Sequence, residues 1–253
     1  MKYANKKAVI IGGTSGMGMG IVNELVKDGA QVLITARNEK LIQETQEQLG
    51  EKGVALRSDA TSTADRQALA QTVKDKFGTF DYLFINVGIC EVESFDKVTE
   101  ASYDRQFNVN TKGAFFTVQQ LSPLMNDGGS ITFTSSVADK MGIPGMLVYS
   151  ATKAALVSMA QVLAAELMPR KIRANALSVG YADTPSMGVG GFSEAEKQAF
   201  KDGGNKYTPM GRIASPEEFG KAAVFLAAEA EFVTGVNLPF DGGIGLGVFA
   251  QQS

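Results

Sequence analysis

The stretch "KAVIIGGTSGMGMG", residues 7–20, decides the fold. Its first five residues are mostly β-branched or apolar and read as a short buried strand, and residues 17–28 carry apolar side chains at helical spacing. Between them lie Gly12, Gly16 and Gly18, spaced G-x-x-x-G-x-G. This departs from the commoner G-x-G-x-x-G dinucleotide fingerprint but serves the same physics. Glycine lets the backbone turn tightly and approach a pyrophosphate, whose charge then rests on the helix N-terminus.

Working outward, the same alternation repeats. Strands are expected at 7–11, 31–35, 53–56, 81–86, 130–135, 172–178 and 236–240, with helices near 17–28, 39–50, 63–77, 101–125, 148–168 and 216–228. Nearly continuous apolar strands separated by amphipathic helices imply a parallel sheet covered on both faces. The expectation is an α/β fold: one Rossmann-type doubly wound domain over residues 1–253, with a seven-stranded parallel sheet flanked by helices. Residues 179–212, rich in glycine, read as one long irregular substrate loop.

Composition narrows the function. The 253 residues are 44% apolar, enough for a sizeable core, and the formal charge of −3 offers no basic surface for nucleic acid. No segment reads as a signal peptide or a membrane span, so a membrane is not expected as a partner. Cys90 is the single cysteine and there is no histidine. That excludes an internal disulfide, removes the usual zinc ligands and fits a reducing cytoplasm. Proton chemistry must therefore come from Tyr, Lys, Asp or Glu.

In doubly wound sheets, ligands bind beyond the carboxyl ends of the strands. After the second strand the chain reads "ITARNEK". An NAD site usually places an acid here for the ribose hydroxyls, whereas Arg37 suits a 2′-phosphate, so NADP(H) is favoured. Asp59, after the third strand, accepts a bond from an adenine amino group or caps the following helix; both readings stand. In "LVYSATKAAL" (147–156), Tyr149 and Lys153 lie one helical turn apart. The lysine charge would stabilise a phenolate that is otherwise inaccessible at neutral pH. Alone, the pair is an ordinary solvated couple, but Ser136 ends the fifth strand only 13 residues upstream.

Taken together, these features resemble the short-chain dehydrogenase/reductase family along essentially the whole chain. The residues that carry the resemblance are "GGTSGMG", Asp59, "NVG" (86–88), Asn110 in "FNVNTKG", Ser136, Tyr149-x-x-x-Lys153, "SVGYADT" (178–184) and "FDGG" (240–243). The resemblance implies that Tyr149 exchanges a proton with the substrate oxygen. It further implies that Lys153 binds the nicotinamide ribose and lowers the tyrosine pKa, that Ser136 holds the substrate oxygen, and that Asn110 anchors a relay water. Cofactor contacts are implied for Gly12, Thr14, Ser15, Gly16, Met17, Gly18, Arg37, Asp59, Ala60, Asn86, Gly88, Tyr149, Lys153, Gly180 and Thr184. The chain departs from the family pattern at Ile11, Ile85, Val87 and Val179, which bears on local backbone placement only. Enoyl reductases of the family usually space the pair by six, so a spacing of four resembles a carbonyl reductase.

The substrate pocket is expected from Cys90, Ser136, Ala138, Met146, Tyr149, Tyr181 and Met187, a mostly apolar set suited to a hydrophobic ketone or alcohol. The apolar helix around Tyr149 and the apolar tail "GIGLGVFAQQS" (243–253) suggest burial against other chains, and a homotetramer is expected. The reading is an NADPH-dependent ketone reductase. Its rivals are a 3-oxoacyl-thioester reductase and a nucleotide sensor without turnover, and a sensor would not need to keep Ser136, Tyr149 and Lys153 together.

Overall fold

The computed structural model describes residues 1–185 and 193–246. Within them, seven strands form one parallel sheet: β1 (Lys7–Ile11), β2 (Gln31–Ala36), β3 (Gly53–Arg57), β4 (Phe80–Ile85), β5 (Met125–Ser136), β6 (Arg173–Val179) and β7 (Asn237–Phe240). Their spatial order is β3-β2-β1-β4-β5-β6-β7. The order reverses between β1 and β4, and a crevice at such a point is where doubly wound sheets take their ligands.

Side chains alternate across the sheet, as a period of two requires. Val9, Ile11, Leu83, Ile85, Ile131 and Phe133 face one layer and pack with Leu69, Val118, Leu156 and Ala160. These partners come from α3 (Thr63–Phe77), α5 (Ala114–Leu121) and α6 (Leu147–Glu166). Ala8, Ile10, Val32, Ile34 and Phe84 face the other layer, against α1 (Gly16–Lys27) and α8 (Pro216–Val224). α1 and α8 meet backbone to backbone, because a β-carbon on Gly20 would lie 1.9 Å from the Pro216 carbonyl oxygen and one on Gly220 would lie 2.2 Å from that of Gly20.

Helix starts follow their polar caps. Asn38 caps α2 (Glu39–Leu49), Ser62 caps α3, Thr99 caps α4 (Glu100–Phe107), and Ser215 with Pro216 opens α8. The expected helix at 101–125 divides: α4 passes into a wide π-turn segment, Asn108–Gly113, before α5 begins. A β-carbon on Gly113 would meet the Ala60 carbonyl oxygen at 3.0 Å, so the helix runs close to the β3–α3 connection where it widens. The expected helix at 216–228 likewise ends regular winding at Val224 and continues as a π segment, Phe225–Glu229.

Two expectations are corrected. Residues 179–212 are not one irregular loop, since α7 (Glu194–Tyr207) lies within them, opened by a reciprocal capping box between Ser193 and Glu196. And α6 is long and apolar enough to cross a membrane, with a mean hydropathy of 1.3, where no such segment was expected. It serves instead as a layer helix: Leu156, Ala160 and Ala164 enter the core, while Leu147 and Val162 on the same helix remain exposed.

Candidate functional site

The carboxyl ends of β1 and β4 are stitched together by one side chain. Asn86, just past β4, donates to the Gly12 carbonyl oxygen at 2.9 Å and accepts from Thr134 of β5 at 3.0 Å. Gly12 and Gly16 both take positive φ, +87° and +52°, which a side chain would resist. A β-carbon on Gly18 would sit 1.9 Å from the Gly12 carbonyl oxygen, so only glycine lets α1 begin so near the loop. Ser15 occupies the cap position of α1 yet makes no side-chain cap, which leaves the first-turn N–H groups to other partners.

Around this loop lies a cleft of about 290 Å³ lined by Thr14, Ser15, Arg37, Asp59, Ala60 and Thr184, among others. Close-approach glycines, an uncapped helix end and a cationic rim residue fit a dinucleotide. Gly18 lies beneath the cleft rather than on its wall. Asp59 forms a local turn, accepting from the Thr61 backbone and hydroxyl at 2.9 and 2.8 Å, and it is Ser62 that caps α3.

Gly88 and Asn86 also border a second cavity of about 430 Å³, so the two spaces adjoin. Of the expected pocket residues, Cys90, Ser136, Ala138, Met146, Tyr149 and Tyr181 line it; Met187 lies outside the described residues. Gly180 and Lys153, expected as cofactor contacts, border this second space. Phe200 and Tyr207 reach it from α7, Ile143 from a loop and Ile244 from the 3₁₀ turn Ile244–Leu246, none of which the sequence reading included. The overlooked signal was "SEAE" at 193–196, an S-x-x-E capping box that announces a helix.

Tyr149 sits in the first turn of α6, with the Lys153 ammonium 5.5 Å from its ring centre. Lys153 is 4% exposed and donates to the Thr134 carbonyl oxygen at 2.9 Å, while its own carbonyl accepts from Ser135 at 3.0 Å. Burial depresses its pKa to about 8. In this structure the net direction for the Tyr149 pKa is upward. Burial pushes Tyr149 upward, Cys90 and Asp139 add to the rise, and only the hydrogen bond with Ser136 opposes it. Desolvation is the largest of these causes.

Asn110 is fully buried in the π-turn segment, and its side-chain amide is fully engaged. It accepts from the Ile89 N–H at 2.8 Å and donates to the Ile89 carbonyl at 2.8 Å and to Thr152 at 3.0 Å. The side chain thus clamps the Gly88–Cys90 segment onto α6. The Cys90 thiol is buried, and its pKa is pushed up to about 11.

Comparisons agree with this geometry. The family described as enoyl-(acyl carrier protein) reductase matches residues 12–245. An uncharacterised oxidoreductase of Methylorubrum extorquens is 35% identical, over 96% of this chain and 99% of that protein. The tetrahydroxynaphthalene reductase of Pestalotiopsis fici is 33% identical, over 95% and 92%. Among solved structures, a short-chain dehydrogenase/reductase from Serratia marcescens superposes with a TM-score of 0.89 at 27% identity, covering 97% and 100%. The 3-ketoacyl-(acyl-carrier-protein) reductase of Brucella melitensis, complexed with NADH, gives 0.87 at 29% identity over 95% and 98%. A blue fluorescent protein from a metagenomic library, in complex with NADPH, gives 0.86 at 27% over 96% and 99%. With its seven-stranded sheet, its glycine loop at the switch point and these relatives, the chain belongs to the short-chain dehydrogenase/reductase family of oxidoreductases.

Proposed function

We propose that the protein reduces a hydrophobic ketone to a secondary alcohol, reversibly, with NADPH as cofactor and Tyr149 as proton donor. The observation that carries this reading is the single cavity wall shared by Ser136, Tyr149 and Lys153, lined otherwise by Met141, Ile143, Met146 and Phe200 and opening onto the glycine-loop cleft. The cofactor would lie along Gly12, Thr14, Ser15, Gly16 and Met17, its adenosine end toward Arg37 and Ala60. When bound, the reduced nicotinamide supplies the hydride that the carbonyl carbon receives.

The remaining work belongs to the chain. Ser136 holds the substrate oxygen by a hydrogen bond, and the Tyr149 hydroxyl delivers its proton to that oxygen as negative charge develops there. Burial keeps Tyr149 protonated but makes it a weaker acid, so donation depends on the basicity of the alkoxide that forms on the substrate. Lys153, still positive at neutral pH, lies close enough to offset the phenolate that remains. The apolar wall excludes water and favours substrates without charge. The similarity to a tetrahydroxynaphthalene reductase supports a ring-bearing ketone in particular. Tyr103, Phe115, Leu147 and Val162, exposed on α4, α5 and α6, support assembly of identical chains into a homotetramer.

The test is the initial rate of NADPH oxidation, beside NADH, with aryl ketones, ketoesters, diketones and 3-oxoacyl thioesters, using Tyr149→Phe as the control. Turnover with NADPH should disappear in the variant while NADPH binding persists. Turnover near wild type in Tyr149→Phe would remove the proton-donor role. NADPH binding without turnover of any substrate in the wild type would favour a nucleotide sensor.

A further inference from the structure

One half-buried aspartate beside the site is unaccounted for by the chemistry above. Asp139 ends the short 3₁₀ turn Val137–Asp139 that follows β5, directly after Ser136. Its Oδ2 accepts from the Ser178 hydroxyl of β6 at 2.7 Å and from the Asn237 amide of β7 at 2.7 Å. The Ser135 hydroxyl of β5 lies at 3.4 Å from the same oxygen. Ser178 has one hydroxyl proton and stands 2.7 Å from both the Asp139 carboxylate and the Asn237 amide oxygen. The three side chains thus form a ring of mutual contacts between β6, the start of β7 and the turn after β5, in which the Ser178 proton serves one of the two oxygens at a time. Asp139 Oδ1 is buried and has no hydrogen-bond partner among the described residues.

Such a ring is a costly way to hold strands that already pair through their backbones, because the buried Oδ1 loses hydration that no described partner replaces. Its position explains what it achieves. The turn it anchors begins at Ser136, whose Oγ accepts from the Ala138 N–H at 3.2 Å and bonds Tyr149. The adjoining wall is fixed in the same way. Asp241, after β7, accepts from Gly243 and Gly245 at 2.8 and 2.9 Å, and a β-carbon on Gly245 would meet Val137 at 3.2 Å.

Resting on the reductase reading above, we propose that Asp139 is a positioning residue for the reaction: from behind the pocket it locks the Ser136 turn to β6 and β7, so that the Ser136 hydroxyl is held in register with Tyr149. Asp139 is not among the residues lining the substrate cavity, so it acts through Ser136 and through its charge rather than by contact with substrate. The groups facing Tyr149 are Cys90 after β4, Ser136 and Asp139 at the end of β5, and Lys153 on its own helix. Of these, the Asp139 charge opposes loss of the tyrosine proton.

The experiment compares wild type, Asp139→Ala, Asp139→Asn and Tyr149→Phe by steady-state kinetics against pH in the alcohol-oxidising direction, by NADPH binding, and by crystal structure. Asp139→Ala should lower kcat by about 10- to 100-fold, the scale expected when a reacting group is displaced by about an ångström, while the NADPH Kd stays within twofold. Asp139→Asn keeps an acceptor for the ring but removes the charge, so its kcat should recover most of that loss and its pH profile should move toward lower pH. Crystal structures should show the Ser136 Oγ displaced in Asp139→Ala and in place in Asp139→Asn. A wild-type pH profile in Asp139→Asn together with an unmoved Ser136 in Asp139→Ala would overturn the proposal. If no ketone or alcohol turns over in the wild type, the reductase reading fails on its own, and the crystal structures still decide whether Asp139 holds Ser136.

Discussion

Replacing Lys153 by Met should make the protein inactive and, at neutral pH, more stable. The ammonium is 4% exposed, and its pKa falls from 10.5 to about 8 on folding. Between those values the unfolded chain holds the proton that the folded chain has released, so wild-type stability must rise as pH rises through this window. The gap of about 2.5 pH units corresponds to roughly 3 kcal/mol of destabilisation below pH 8. Methionine removes that term and fills similar space, but it leaves the Thr134 carbonyl without its donor, a loss of about 1 to 3 kcal/mol. The net gain at pH 7 is then up to about 2 kcal/mol, and about 2 kcal/mol of the wild-type deficit should be recovered between pH 7 and pH 9.5. Urea unfolding of both proteins at fixed concentration across this range measures the difference, and comparing the pair cancels the other titrating groups. Two stability curves that run parallel from pH 7 to 9.5 would refute the argument, because Lys153 would then titrate alike in the folded and unfolded chain.

Three further outcomes are expected. Arg37→Asp should turn cofactor preference toward NADH, by a factor of about 10 to 100 in kcat/KM ratio, since a charge-assisted hydrogen bond to a 2′-phosphate gives way to repulsion; parallel assays with NADH and NADPH read it directly. Gly220→Ala should destabilise the fold by about 1 to 3 kcal/mol, visible as a lowered Tm, because the new methyl group meets the Gly20 carbonyl at 2.2 Å where both partners are backbone. Sedimentation should show a species larger than a monomer at micromolar concentration, and Phe115→Glu, placed on an exposed apolar face, should shift it toward smaller species.

The sheet was legible because its signal is redundant. Most strands announced themselves by an apolar run rich in β-branched residues, and each of the first five was followed by a helix-period segment, so errors at single residues did not propagate. What escaped was of two kinds. Local widening of a helix, as at Asn108–Gly113 and Phe225–Glu229, leaves the apolar period nearly intact and arises from crowding by distant segments, such as the Ala60 carbonyl against Gly113. α7 escaped because the glycines Gly203 and Gly204 near its end disguised a properly capped helix as loop. In the site, the spacing of Tyr149 and Lys153 showed that they share one helix face, but not that Lys153 is tied to Thr134. Burial is a property of the assembled layers, so the direction in which it moves each pKa could not be read from the spacing. Asp139 carried no signal either: its partners Ser178 and Asn237 lie on two other strands, and only register brings them together.

That register has a consequence for how the protein comes into being. A ribosome releases the chain from its N-terminal end, and β7 follows every other described strand in sequence. A nascent chain that has completed β1 through β6 already owns the glycine loop, Arg37, Ser136, Tyr149 and Lys153. It does not yet own Asn237 or the Asp241 turn, so the rear of its pocket stands open and Ser178 and Asp139 await their third member. Most of the residues around the glycine-loop cleft are therefore synthesised before those that close the rear of the second cavity, with Thr184 and the α8 partner of α1 following β6.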